Sequence, residues 1–156
     1  TGIGNTDNDT SIPTSAAVKA YVDASSIKTA RYGLASGNTF STIVLPVTEV
    51  FDPSNIGSVS SGTVTLAAGA YLVAYQGEFA EEDNDPDLYR IQLRHNGVVK
   101  TTDIVNETGS ISTYVFKSNA IVVFSDSSQT VDILLTETGS TSIYYRNVSL
   151  IVTKLI

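Results

Sequence analysis

The sequence contains no cysteine among its 156 residues. Disulfide bonds, thiolate metal sites and cysteine nucleophiles are therefore excluded. Histidine occurs once, at His95, so a Ser-His-Asp triad would have to use that residue. His95 directly precedes Asn96-Gly97, a pair typical of tight hairpins, which predicts a solvated turn histidine. The sequence also has no Gly-x-Ser-x-Gly motif and no glycine-rich phosphate-binding motif. We therefore expect that the protein is not an enzyme.

Charge is also scarce. Charged residues make up 16% of the chain, against roughly 25% in typical soluble domains. The formal net charge is -7, and the lysines and arginines are scattered rather than clustered. A nucleic-acid backbone or an anionic membrane surface would be repelled. No apolar run approaches the roughly 18 residues that span a bilayer. We expect neither nucleic-acid binding nor membrane insertion.

One segment near the beginning has a helical pattern. Pro13 fits the start of a helix, and the spacing predicts a helix over Thr14–Asp23. Val18, Tyr21 and Val22 make one apolar stripe on it. A helix of about three turns is marginal in water unless it packs on something. The sequence leaves two partners open, its own domain or copies of itself around an axis.

From about Thr39 the pattern changes to strands. Short segments rich in Val, Ile, Thr, Tyr and Phe are separated by gaps that contain Gly, Asn, Asp or Ser. These features predict an all-β head domain over residues 39–156, preceded over residues 1–38 by a linker and a short helical stalk segment. The chain begins at Thr1, and we expect it to be part of a longer protein. The predicted strands are Phe40–Val50, Thr63–Leu66, Ala70–Phe79, Leu88–Arg94, Val98–Val105, Ile111–Phe116, Ala120–Phe124, Gln129–Thr136 and Ser142–Leu155.

Two of these strands are almost continuously apolar, namely Ile121–Phe124 and Ile133–Leu135. In a lone sandwich the outer face is wet, so strands should alternate between apolar and polar residues. Strands that are apolar on both faces indicate that the second face meets another subunit. The alternative is tight packing within one domain.

The helical segment resembles a known virion sequence. Its residues Ser11–Asp23 read Ser-Ile-Pro-Thr-Ser-Ala-Ala-Val-Lys-Ala-Tyr-Val-Asp. This stretch is similar to a segment that precedes the head domain in phage tail-fibre and virion appendage proteins. The resemblance implies a fibre in a virion, outside the cell.

The remainder resembles the C1q/TNF-like jelly roll, which also occurs in viral fibre heads. The residues that carry this resemblance lie in Gly69–Tyr75, Leu93–Val99, Ala120–Phe124, Val131–Leu135 and Ser149–Leu155. One departure is that Tyr145-Arg146-Asn147 stands where the family usually has Phe-x-Gly before the last strand. The resemblance implies an antiparallel jelly-roll sandwich that assembles as a homotrimer, with the short α-helix preceding it.

Taken together, the two resemblances predict the trimeric tip of a fibre that binds a host cell-surface glycan or protein and promotes fibre trimerisation. The alternatives are a purely structural trimerisation or capping domain and a cellular C1q-like binding module. Loops on rigid β scaffolds carry recognition most often. We expect the contact surface in the loops Asp52–Ser61, Glu81–Asp87 and Thr138–Ser142. The candidate receptor-binding residues are Tyr89, Tyr114, Tyr144, Tyr145 and Asn55, since tyrosine offers an apolar face and a hydroxyl.

An acidic turn offers the one candidate metal site. Asp83, Asp85 and Asp87 alternate within five residues, and their oxygens suit Ca²⁺. The run lacks the glycine and the downstream glutamate of an EF-hand loop. The alternative is a solvated acidic loop without a metal, and no other cofactor is expected.

Overall fold

The computed structural model describes residues 15–39, 42–81, 88–106, 114–137 and 142–155. Within these residues one helix precedes two packed antiparallel sheets. The fold prediction, an all-β antiparallel sandwich after a short helix, is confirmed. The elements are α1 (Ser15–Ser25), β1 (Lys28–Thr39), β2 (Ile43–Val44), β3 (Thr48–Phe51), β4 (Gly57–Ser60), β5 (Thr63–Leu66), β6 (Gly69–Glu81), β7 (Leu88–His95), β8 (Val98–Asn106), β9 (Val115–Ser125), β10 (Gln129–Glu137) and β11 (Ile143–Lys154).

Strand order defines two sheets of similar width. Sheet A has the order β3-β1-β11-β6-β9, and sheet B has the order β4-β5-β10-β7-β8, with β2 pairing against β10. Neighbours in space are mostly distant in sequence, so each sheet depends on long-range pairing. Strand β9 forms one edge of sheet A and β3 forms the other.

The first strand lies outside the region where strands were expected. Strand β1 pairs with β11 from Lys28 opposite Lys154 to Thr39 opposite Ile143. The sandwich therefore begins at Lys28 rather than near residue 39, and a division after residue 38 would cut β1. The glycines in β1 allow side chains of neighbouring strands to approach its backbone closely, and they do not form a turn. A Cβ atom at Gly37 would lie 2.5 Å from the hydroxyl oxygen of Tyr145.

Other strand boundaries differ in smaller ways. The segment predicted as one strand over Phe40–Val50 contains β2 and β3, and β4 was not predicted. The segments predicted as two strands around Phe116 and Ala120 are joined in β9. The hairpin predicted at Asn96-Gly97 is confirmed, with φ of 49° and 74° at those residues, as a primed two-residue turn requires.

The predicted helix is present as α1, but its apolar stripe is not buried. Val18, Tyr21 and Val22 are 49%, 74% and 54% exposed. The sandwich of the same chain therefore leaves most of this stripe open to solvent. Among the described residues, no helix has the length and hydrophobicity needed to cross a bilayer.

Inward-facing side chains of both sheets form one apolar core in which tyrosine is prominent. Burial, followed by the charge of the Asp52 carboxylate, raises the pKa of Tyr32 well above its ordinary value. Burial and the hydrogen bond that its hydroxyl donates to Asp103 across the two sheets raise the pKa of Tyr75. Burial alone raises the pKa of Tyr71. These phenols therefore stay protonated in the folded protein at pH values where an unfolded chain ionises.

Stability should fall in alkaline solution because of this core. Unfolded tyrosines ionise near pH 10, so above that pH the folded state binds more protons than the unfolded state. The stabilisation is fully present below about pH 10 and is lost above it, by up to about 1.4 kcal/mol per pH unit for each such tyrosine. Urea unfolding between pH 8 and 11.5 measures this, and Tyr71→Phe should make the decline shallower. An unfolding free energy that is constant to pH 11 would contradict the assignment.

Candidate functional site

Different strand ends and loops lie at the two ends of the sandwich. At one end, here called the helix end, β1 follows α1, Lys28 faces Lys154, and the Leu155 N–H donates to the Ala70 carbonyl at 2.8 Å. At the opposite end, here called the far end, β6, β8 and β10 finish and β7, β9 and β11 begin. The predicted contact loops 81–87 and 138–142 join strands at the far end, whereas the loop 52–61 follows β3 at the helix end.

Two of the predicted contact tyrosines lie inside the core. Tyr89 is 0% exposed and Tyr145 is 5% exposed. Tyr89 shares the inward face of β7 with Ile91 and Leu93, and Gly37 leaves room for the ring of Tyr145. Neither side chain can contact a receptor in this fold, so their assignment as binding residues is corrected.

The other two tyrosines remain accessible near the far end. Tyr144 is half-buried and neighbours the inward-facing Tyr145, so it lies on the outer face of sheet A. Tyr114 is also half-buried, immediately before β9, and its ring centroid is 3.7 Å from the guanidinium carbon of Arg146. The prediction that they contact a receptor is compatible with these positions and stays a prediction.

Asn55 lies at the helix end, apart from the tyrosines. It is exposed, with φ of 51°, in a loop that the Asp52 carboxylate organises. That carboxylate accepts hydrogen bonds from the N–H groups of Ile56 at 2.8 Å and Gly57 at 3.0 Å and from the Tyr32 hydroxyl at 3.1 Å. Asn55 borders a cavity of about 260 Å³ with Ser58 and others. The five predicted binding residues therefore do not form one site.

The candidate calcium ligands Asp83, Asp85 and Asp87 fall outside the described residues. Elsewhere in the described ranges, no group of three or more His, Asp or Glu side chains could hold a metal ion. The calcium site stays a prediction.

His95 has a structural partner that the sequence did not reveal. Its Nε2 lies 2.9 Å from the Oε1 of Gln129, which is 1% exposed. The Gln129 amide nitrogen already donates to the carbonyls of Ala67 at 3.2 Å and Gly69 at 2.9 Å. Its Oε1 therefore accepts from His95 Nε2–H. The predicted place of His95 at the end of the hairpin is confirmed, since it pairs with Val98. The side chain is half-buried rather than fully solvated, and through Gln129 it links the β7–β8 hairpin to the β5–β6 turn.

A charged cluster lies on the outer face of sheet A, and no local sequence pattern predicts it. Arg146 Nε donates to Glu78 Oε2 at 2.6 Å, and Asn147 Nδ2 donates to Glu78 Oε1 at 3.1 Å. The hydrogen bond from Arg146, followed by that from Asn147, lowers the pKa of Glu78. We call these residues, with Tyr114, the arginine cluster. Its one signal in the sequence was Tyr145-Arg146-Asn147, where the family pattern has Phe-x-Gly.

The same face of sheet A is apolar toward the helix end. Val122 and Phe124 on β9 are 67% and 58% exposed, and Leu72 on β6 pairs with Val122. Phe116 is also exposed but lies toward the far end, opposite Glu78. We call Leu72, Val122 and Phe124 the apolar face. The expectation that Ile121–Phe124 would be apolar on both sides holds, since Val123 is in the core while its neighbours face outward.

The edges of sheet A add to this surface. Strand β9 pairs with β6 without a register shift from Phe79–Val115 to Gly69–Ser125, so it is a long, regular edge strand. Such apolar edges are sites of association unless they are covered. On the opposite edge, Val50 and Phe51 of β3 are 51% and 57% exposed. The two apolar margins of sheet A are thus formed by different residues.

A cavity of about 540 Å³, here called the side pocket, adjoins the β3 margin, since Val50 is part of its wall together with residues of β1 and β11. It opens on the outer face of sheet A. Polar and small side chains dominate its wall, and Asn147 of the arginine cluster is part of it. Its residues include Gly33, Ala35, Thr48, Gln76, Asn147 and Ser149.

Comparisons with known proteins define the fold but not a family. No protein-family model matches the sequence, and no curated protein matches it. Among solved structures, Eiger TNF from S. frugiperda is 12% identical with a TM-score of 0.58, over 83% of this chain and 93% of that chain. Murine APRIL at pH 5.0 is 11% identical with a TM-score of 0.61, over 83% of this chain and 100% of that chain. The likeness confirms the predicted C1q/TNF-like jelly roll.

Proposed function

We propose that this chain is the head of a homotrimeric binding protein, at the tip of a virion fibre, and that it attaches the virion to a host-cell receptor. The observation that carries the proposal is the apolar face of sheet A, where Val122 and Phe124 are each more than half exposed and the neighbouring Leu72 is 39% exposed in a single chain. Contiguous exposed apolar surface on a soluble protein marks an interaction site. A second copy of the chain is the partner that the fold supports.

The arrangement of sheet A favours a closed ring. One apolar margin lies on β6 and β9, and the other lies on β3 at the opposite edge. When two different surfaces of the same chain meet, the contact is head-to-tail, and it closes into a ring if the rotation permits. The TNF-like fold supports a ring of three. Cyclic symmetry also gives every copy the same direction along the axis.

Because all copies point the same way along the axis, the helices and the proposed attachment surface would lie at opposite ends of the trimer. All α1 helices would lie together at the helix end, where their exposed Val18, Tyr21 and Val22 stripes can meet. The far ends would point away from whatever precedes the helix. The resemblance of residues 11–23 to a tail-fibre segment supports a fibre behind the head. Three equivalent sites on one axis also raise the overall affinity through effective concentration. The proposed function requires no catalytic group.

Sedimentation equilibrium tests the proposal. The purified chain should sediment at three times its 16.5 kDa mass, with a β-rich circular dichroism spectrum, down to nanomolar concentration. A folded particle with the mass of one chain would contradict it. Binding of the fluorescently labelled trimer to host cells then distinguishes attachment from the alternative of a purely structural capping domain, for which an intact trimer would bind no cell.

A further inference from the structure

The side pocket and Phe116 are complementary features of the two margins of sheet A. We propose that Phe116 of one copy enters the side pocket of the next copy, and that Lys117 of the first copy pairs with Glu49 of the second. This inference rests on the proposed ring and deepens it, because it names the side chains that set how neighbouring copies meet.

The side pocket follows one row of paired residues across sheet A, here called the pocket row. From β3 to β9 the row consists of Thr48, Gly33, Ser149, Gln76 and Ser118, each paired with the next. The first four of these residues line the pocket. Because glycine and serine have little or no side-chain volume, the middle of the row is a hollow in the outer face of the sheet.

Phe116 lies close to the β9 end of this row. It is two residues before Ser118, about 7 Å away at roughly 3.3 Å per residue, and both residues are exposed. Val122 lies four residues beyond Ser118, toward the helix end. Rotation about an axis that runs along the strands carries each copy onto the next at unchanged height. The β9 margin of one copy therefore brings Phe116 close to the pocket of the next.

The wall of the side pocket suits an aromatic ring. Leu34, Val50 and Val148 contribute apolar side chains to it. Arg31 is the charged member of the described wall, and a guanidinium over the face of an aromatic ring is favourable. The volume of about 540 Å³ has room for one ring together with flanking residues of β9. An aromatic side chain seated in a pocket is a typical centre of a stable protein contact.

The two edge strands carry opposite charges. Glu49 is the one charged residue of β3, and Lys117 is the one charged residue of β9. Each lies one residue from the pocket row, on opposite sides of it, and a lysine side chain can span that difference in height. Within one chain, four interstrand steps of about 4.8 Å place the two residues about 19 Å apart, too far for an ion pair. Between copies they lie on facing margins, where charge pairing selects one register.

Exchanging the two charges in the full chain tests the pairing. Lys117→Glu and Glu49→Lys should each raise the chain concentration at which half of the trimer dissociates by about tenfold or more, because like charges then meet at every contact of the ring. A chain with both substitutions should return to within about threefold of the unaltered midpoint. Fluorescence-detected sedimentation measures the midpoint, and circular dichroism checks that each variant is folded.

Removing the aromatic ring tests the pocket. Phe116→Ala should raise the dissociation midpoint about 100-fold or more, as truncation of a central contact residue does. The matched control for the charge variants is Lys100→Glu on β8 of sheet B, which should leave the midpoint unchanged.

The results that overturn the inference differ from those that overturn the trimer. A double charge variant as weak as the single ones, an unshifted midpoint for Phe116→Ala, or an equal loss in Lys100→Glu overturns the inference while the proposed trimer stands. If the unaltered chain sediments with the mass of one chain, the proposed trimer itself fails.

Cross-linking gives a second measurement that depends on position rather than on affinity. Because the sequence has no cysteine, a chain with both Lys117→Cys and Glu49→Cys has only these two thiols. A short bismaleimide should join the assembled copies into covalent trimers on a denaturing gel. Either single variant should stay unlinked, since a head-to-tail contact brings two different positions together. Linked pairs of a single variant would show a like-with-like contact and contradict the proposed arrangement.

Discussion

Replacing Val122 by glutamate should split the proposed trimer into folded single chains. Val122 is 67% exposed on the outer face of β9, so the isolated fold has room and solvent for a carboxylate there. In the proposed ring the same position is buried against the next copy, where an unpaired charge costs several kcal/mol. At about 3 kcal/mol per contact, the dissociation constant of each contact rises more than about 100-fold. Sedimentation equilibrium should report the mass of one chain, with an unchanged circular dichroism spectrum.

The other sheet supplies a matched control for this variant. Ile104 on β8 is 51% exposed and faces outward from sheet B. Ile104→Glu introduces the same group at a similar exposure and should leave the trimer intact. If Val122→Glu also remains trimeric, the apolar face is not the subunit contact. If both variants dissociate, the contact involves sheet B as well.

Gly62→Ala should cost about 3 kcal/mol or more of the free energy of unfolding. Gly62 closes the tight β4–β5 hairpin with φ of +81°, a conformation that disfavours a residue with a Cβ atom. The added Cβ would also lie 2.2 Å from the carbonyl oxygen of Leu45. This neighbour is backbone, so the clash is relieved only by moving the chain. Urea unfolding of the variant measures the loss.

Gly97 separates the two causes of this loss. It has φ of +74° in the β7–β8 hairpin, yet a Cβ added there meets no atom within 4 Å. Gly97→Ala therefore carries the conformational penalty alone, about 1–2 kcal/mol. An equal effect of the two substitutions would mean that the Leu45 carbonyl moves aside without cost.

The sequence predicted the architecture well because strands and turns leave local signals. Alternating β-branched segments, the Asn96-Gly97 turn and the short helix were all visible in stretches of a few residues. The face of a residue was harder to predict. Tyr89, Ile91 and Leu93 are alternate residues of β7, so they lie on the same face of the strand. The two aliphatic residues indicate that this face belongs to the core. The bulge after Arg146 interrupts the alternation of inward and outward residues between Tyr145 and the later part of β11. Counting residues along the strand therefore could not predict which face Tyr145 occupies.

The contacts that define the candidate site could not be predicted, because they depend on sheet register. Glu78 and Arg146 meet since β6 and β11 are neighbours in sheet A, with these two residues opposite each other. Strand β1 was missed for a related reason. Its glycines make room for side chains of distant residues, and the same residues in isolation are typical of turns.

The adjacency of Lys28 and Lys154 at the helix end affects how this sandwich can diversify. Strand β1 starts and strand β11 finishes at this end, so the connections that follow β6, β8 and β10 each join two strands that are already held in the sheets. Such connections can be lengthened, shortened or exchanged without altering where β1 starts and β11 finishes. The sandwich is thus suited to serve as a constant frame for loops of different length and sequence.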